Sequence, residues 1–189
     1  MRADNCAIFE AMTNVQDLDR FLDTEELAEL GPGPRKGVLP QTALENQLQP
    51  LLRGSKLSSE RQQLIFALVL LWHDHLDTAH TIAQNAENAD GAFVHGIMHR
   101  REPDFGNAAY WFRRVGRHSA FEQIAQETAR RLETAAEPRL AAKLIRNGAW
   151  DPFGFINACE QAVHQSSEHQ RLLREIQKEE FRALLKSMA

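Results

Sequence analysis

Through most of this chain, apolar residues recur every three or four positions, the period of an amphipathic helix. Gln41–Arg53 carries Leu44, Leu48, Leu51 and Leu52 on one side, and Gly54 follows as a stop. Ser58-Ser59-Glu60 opens the next helix. Within it, residues 64–72 are apolar all round, which in a soluble protein predicts a helix buried on most faces, the central core helix. The polar turn His73-Asp74-His75 separates it from a short helix over 78–89. Further helices are predicted over 92–102, closed by Pro103-Asp104, and over 107–118. Ala120–Thr134 and 139–147 continue the period on either side of Glu137-Pro138, and Gly148 ends the second. Asp151-Pro152 is a cap and first-turn signal for a helix to about 165. Ser167–Met188 sets Leu172, Leu173, Ile176, Phe181, Leu184 and Leu185 among charges, an amphipathic helix docked on the core or on a partner.

The beginning of the chain is less regular. Val15, Leu18, Phe21 and Leu22, then Leu27 and Leu30 after the start signal Asp23-Thr24-Glu25-Glu26, predict one or two short helices within 1–30. GPGPRKGVLP, residues 31–40, holds three prolines and three glycines and breaks regular structure. It is either a loop draped on the surface or a segment lending Arg35 and Lys36 to an anion. No stretch alternates Val, Ile, Thr and Tyr as a half-buried strand would. The expected fold is therefore all-α: a single domain of packed antiparallel helical hairpins. Residues 1–57 form its N-terminal helices and loop, 58–118 a hairpin core, and 119–189 its C-terminal helices.

Composition agrees with one ordinary domain: 189 residues, 43% apolar and 25% charged. A net charge of −4 argues against a nucleic-acid partner, since general binders carry a basic excess. The longest apolar run is about half of what a membrane span needs, and the first residues lack a basic stretch followed by a long apolar one. Cys6 and Cys159 are far apart and form no metal-like spacing. These features set the expectation of a soluble, reduced, cytoplasmic protein without a membrane partner.

An internal offset of 30 residues pairs Asp74 with Asp104, Asp77 with Asn107, Ala79 with Ala109 and His80 with Tyr110. Stacked hairpins produce such a period, because each buries its apolar face on the next. In the second unit Ala92, Gly96, Asp104, Ala108, Trp111 and Phe112 stand at the spacing of the Sel-type branch of tetratricopeptide-like repeats, which residues 62–118 resemble. The resemblance implies an α-hairpin scaffold that binds other proteins. Two positions depart from it: Arg100-Arg101-Glu102-Pro103 replaces the glycine-rich turn, and His99 stands where an aromatic is usual.

The chemistry concentrates in residues 91–117. On a helical wheel at about 100° per residue, Phe93, Val94, Ile97 and Met98 form an apolar arc with Arg101 in its middle. A guanidinium there needs a partner: Asp74, Asp77 or Asp104 internally, or the carboxylate or phosphate of a ligand. His95, His99 and Glu102 share another side at i, i+4 and i+7, the spacing at which two imidazoles and a carboxylate can meet one divalent metal ion. The alignment brings His73 and His75 level with Pro103 and Phe105, making them further candidate ligands beside Glu102 and Asp104. From Arg100 to Arg117 five arginines face only two acids, and Tyr110, Arg113, Arg114 and Arg117 share one side of their helix. With Trp111 they suggest an anion subsite.

No phosphate-binding glycine loop, dinucleotide fingerprint or nucleophile elbow is present. Two readings follow. The first is a binding module that holds an anionic small molecule or an acidic protein segment through a His/Arg/Tyr-rich pocket, with Arg100, Arg101, Arg113, Arg114 and Trp111 as contacts. The second is a metal-assisted or acid–base enzyme acting on a small polar anion such as a sugar acid or phosphate. There His95, His99, Glu102 and Tyr110 are the catalytic candidates, and they must converge on one enclosed concavity.

Overall fold

A computed structural model describes residues 15–189; Cys6 and the first fourteen residues of the segment 1–30, expected to hold one or two short helices, lie outside the described residues. The chain is all-α. Helix α1 (Val15–Asp19) runs into a 3-10 turn (Arg20–Leu22), and α2 (Gln41–Arg53), α3 (Ser59–Trp72) and α4 (Leu76–Ala83) follow. Then come α5 (Ala89–Arg101), α6 (Phe105–Val115), α7 (Ala120–Thr134), α8 (Pro138–Leu144), α9 (Pro152–Gln161) and α10 (Ser167–Met188). A two-residue hairpin, β1 (Ile145–Arg146) with β2 (Ala149–Trp150), interrupts the helices. It ends α8 three residues before its expected limit, because Asn147 and Gly148 adopt positive φ and turn the chain back.

Side-chain caps set several helix starts, at Ser58 and Asp151 as expected, while α4 ends at Ala83 and α5 and α6 begin at Ala89 and Phe105, ahead of the expected 92 and 107. Ser58, Asn88, Asp104, Asp151 and Ser166 each accept a backbone N–H of the first turn of α3, α5, α6, α9 and α10. Residues 23–30 form no helix despite their start signal. Leu22 and Ala28 are pulled into the core instead, and the segment runs irregularly into the proline-rich stretch. That stretch is not merely draped outside: the Arg35 side chain is buried over Trp72 and beside Asp74.

The hairpins α3/α4 and α5/α6 stand next to each other, and α10 closes the bundle against α3 and α7. The apolar face of α10 is thus spent on the core. Helix α3 is buried from Leu64 to Trp72, as expected. More telling is α5, in which every residue from Gly91 to Arg101 is buried, two histidines and two arginines included. It is a second central helix, and a polar one.

The α5/α6 contact depends on Gly96. A methyl group there would lie 2.7 Å from two ring carbons of Phe112, which is itself pinned edge-on by Phe93 at 5.2 Å between centroids. Gly96→Ala should destabilise the fold by about 1–3 kcal/mol, the overpacking cost outweighing the gain in helix propensity. Urea denaturation checks it; an unchanged or raised midpoint would mean that the hairpin is not this tight.

A candidate metal centre

Helix α5 is the floor of the site, and α4 and α6 flank it. His95 and His99, one turn apart on α5, hold their rings nearly parallel, 5.7 Å between centroids. His80 of α4 meets both edge-on, at 5.0 Å from His95 and 5.4 Å from His99. Each of the three can offer a nitrogen such that all lie within 4.8 Å of one another. His95 and His99 are buried and His80 half-buried.

Three neighbours fix the cluster. Trp111 of α6 stacks on His95 at 4.0 Å with the planes 2° apart. Glu102 lies 3.2 Å from Nδ1 of His99. The amide nitrogen of Asn107 lies against the same ring, 3.1 Å from Nε2 and 3.3 Å from Nδ1. Burial, reinforced by His80 and His99, pushes the pKa of His95 down to about 4. The pKa of His99 is also lowered, chiefly by burial, against the raising effect of Glu102. His95 is therefore a neutral imidazole at pH 7, the form that ligates metals. Its Nδ1 is buried without a hydrogen-bond partner, which is rare enough in native interiors to ask for an explanation.

The expected ligands divide. His95 and His99 meet as the i, i+4 spacing predicts. Glu102 joins them beside a ring nitrogen of His99, outside the nitrogen trio itself. His73 and His75 do not approach Glu102. His73 bonds the Phe21 carbonyl at 2.9 Å through Nε2 and accepts the Leu39 N–H at 3.0 Å through Nδ1. His75 reaches the Leu39 carbonyl at 2.8 Å. Phe21 in the 3-10 turn and Leu39 at the end of the irregular stretch carry backbone groups that no helix satisfies, and this turn supplies their partners.

His73 gives that clamp a pH dependence. Burial, with Arg35 and His75 adding to it, lowers its pKa to about 4 from an ordinary 6.5. Above pH 6.5 it is neutral whether folded or unfolded and contributes no slope. As pH falls from 6.5 to about 4, the unfolded chain takes up a proton that the folded one refuses, so stability falls. The dependence of the urea midpoint on pH in that window should be shallower in His73→Gln; an unaltered slope would contradict the clamp.

The arginines assigned to a ligand are also redistributed. Arg101 is paired internally: it bonds Asp74 at 2.7 Å, the Leu71 carbonyl, and the carbonyls of Glu29 and Gly31 at 3.2 Å each. Arg100 is fully buried against Glu180 and Gln177 of α10, with its guanidinium 4.5 Å from the Phe155 centroid. Neither has a face left for a ligand. On α6, Arg113 and Arg114 are exposed, and Arg114 lies 5.4 Å from the Trp111 centroid and 6.0 Å from that of Tyr110. Tyr110 is 48% exposed and touches Trp111 edge-on. Of the four catalytic candidates, His95, His99 and Glu102 lie side by side, and Tyr110 touches Trp111, which stacks on His95. Buried Cys159 has a thiol pKa pushed up to about 12, chiefly by burial, and is no nucleophile at neutral pH.

His80 is the member of the histidine trio that spacing alone did not select. Its one visible signal was the 30-residue offset, which set it level with Tyr110 and so on a helix of the neighbouring hairpin. Among the described residues, no helix is long and apolar enough to cross a membrane. Comparison with protein-family models, curated proteins and solved structures finds no match, so the site is read from its own geometry.

Proposed function

We propose that this chain is a helical metal-binding protein that holds one divalent transition-metal ion at His80, His95 and His99, with a position left open for an exchangeable small ligand. The observation that carries this reading is the convergence of three histidine nitrogens from two helices within 4.8 Å in a largely buried site. A tetrahedral ion with bonds of about 2.0–2.1 Å places its ligand nitrogens roughly 3.4 Å apart, a contraction within reach of side-chain rotation. Neutral imidazoles suit zinc and its transition-metal neighbours better than calcium or magnesium. Glu102 beside His99 is the carboxylate partner that commonly orients a ligating histidine. It acts here as a positioning group, not as a third or fourth ligand.

Among the described residues, no carboxylate or thiolate joins the three histidines to complete a closed four-ligand set. Three protein ligands with a free position are the arrangement of metal sites that exchange water or substrate, whereas structural sites are closed. Three neutral ligands also leave the ion's charge uncompensated, which favours an anion in that position. The anionic small-molecule ligand expected from the sequence is thus retained, held by the ion in place of Arg100 and Arg101. A metal-assisted reaction fits the same geometry, since an ion held by three imidazoles can acidify its bound water.

Titration with Co2+ tests the reading. One equivalent should bind with the visible absorption of nitrogen-coordinated cobalt, and His80→Ala should abolish those bands while far-ultraviolet circular dichroism stays unchanged. Retention of full binding by His80→Ala would overturn the three-histidine assignment.

A further inference from the structure

The outer face of α6 carries charge that the fold does not use. Arg113 and Arg114, in its last turn, are exposed, and Arg117 follows them at the surface once Gly116 has ended the helix. Among the described residues none of the three has an acid within ion-pair distance. Surface arginines elsewhere do find one: Arg131 meets Glu175 and Glu179, and Arg182 meets Asp19 and Asp23. Three unpaired cations within five positions are a concentrated charge on a chain of net −4. Arg114 is also laid against rings, 5.4 Å from the Trp111 centroid and 6.0 Å from that of Tyr110, so part of its side chain is held before any partner arrives. Beside it lies a depression of about 280 Å3, floored by Ala86, Ala89, Ala92 and Trp111, with Glu87 and Asn88 on its wall.

We propose that this face docks an acidic segment of another protein. Carboxylates of the segment meet Arg113, Arg114 and Arg117, and one apolar side chain beside them enters the depression against Trp111. The surface is separate from the histidine cluster and needs no metal ion. Charge complementarity selects the occupant. A guanidinium forks a carboxylate through two parallel N–H bonds, and tryptophan, tyrosine and arginine are the residues that concentrate binding energy at protein interfaces. A single small anion would use one arginine and leave the apolar depression empty. A nucleic acid would run its phosphates past the three arginines onto a chain of net negative charge, with Glu87 at the depression itself. An acidic protein segment brings its charges and its apolar side chain in one short stretch.

The test uses the full chain and the fluorescein-labelled peptide Glu-Asp-Leu-Glu-Glu-Leu, followed by anisotropy. Two matched peptides accompany it, one with amides for its acids and one with serines for its leucines. Each exchange should weaken binding by about tenfold, the first through the lost charge-assisted contacts and the second through the lost apolar one. Arg113→Glu with Arg114→Glu should abolish binding at unchanged circular dichroism. Arg53→Glu with Lys186→Glu, the same change of charge at other exposed positions, should leave most of it. No binding at about millimolar peptide, indifference to either exchange, or equal losses in the two double variants would overturn the proposal. So would tighter binding of a hexauridine RNA, which would assign the face to nucleic acid. Self-association in sedimentation velocity that only the Arg113, Arg114 variant abolishes would overturn it too, in favour of a second copy of this chain.

Discussion

Glu180→Gln should cost the protein about 3–5 kcal/mol of unfolding free energy, the usual effect of removing one partner of a buried ion pair. Arg100 and Glu180 are both fully buried and joined as a fork, with one of the two bonds at 3.0 Å. Glutamine keeps the shape and one acceptor oxygen but leaves the guanidinium charge uncompensated away from water. A domain of this kind has on the order of 5–15 kcal/mol in all, so the variant should unfold at far lower urea. The loss should come from the orphaned charge more than from the absent bond. Replacing both partners, Arg100→Met with Glu180→Leu, should therefore recover most of the stability. Urea denaturation of the single and double variants decides the point. A cost below about 1 kcal/mol for Glu180→Gln, the size typical of solvent-exposed pairs, would mean that this contact is not sealed from water.

The second large effect concerns the metal. His95→Ala should reduce affinity for Zn2+ or Co2+ by at least about a hundredfold, because two nitrogens cannot match three and the ring lost is the one that the Trp111 stack holds in place. Glu102→Gln should cost less, about 10–100-fold, as expected for a group that orients a ligand without touching the ion. The ordering of the two losses separates ligand from orienter. Competition titrations against a chromophoric chelator measure both. A loss for Glu102→Gln as deep as that for His95→Ala would make Glu102 a direct ligand.

How much of this was legible in the sequence follows from the range of each interaction. Helix positions were in large part, since caps such as Ser58 and Asp151 act within one turn of the residues they serve, though the boundary at Asn88 was overrun. The pairing of Arg101 with Asp74 was too: a charge in the middle of an apolar arc requires an acid, and Asp74 was one of three nearby. The Arg100–Glu180 pair was not, because its members stand 80 positions apart on helices whose docking no local pattern states. His95 and His99 showed themselves by helical spacing, whereas His80 sits on a separate helix and reaches them only through hairpin packing. His73 and His75 were misdirected by a related cause. Turn residues beside the cluster in the repeat alignment are claimed instead by the backbone at Phe21 and Leu39, on either side of residues 23–30, whose lack of helix was itself unexpected.

The central claim is that this chain carries a metal ion on three histidines. Its most direct test is elemental mass spectrometry of tag-free protein purified without chelator, beside the His95→Ala, His99→Ala double variant. The unmodified protein should hold close to one equivalent of zinc or a neighbouring transition metal, and the variant none. No metal in the unmodified protein, even after reconstitution, or equal metal in both, would contradict it.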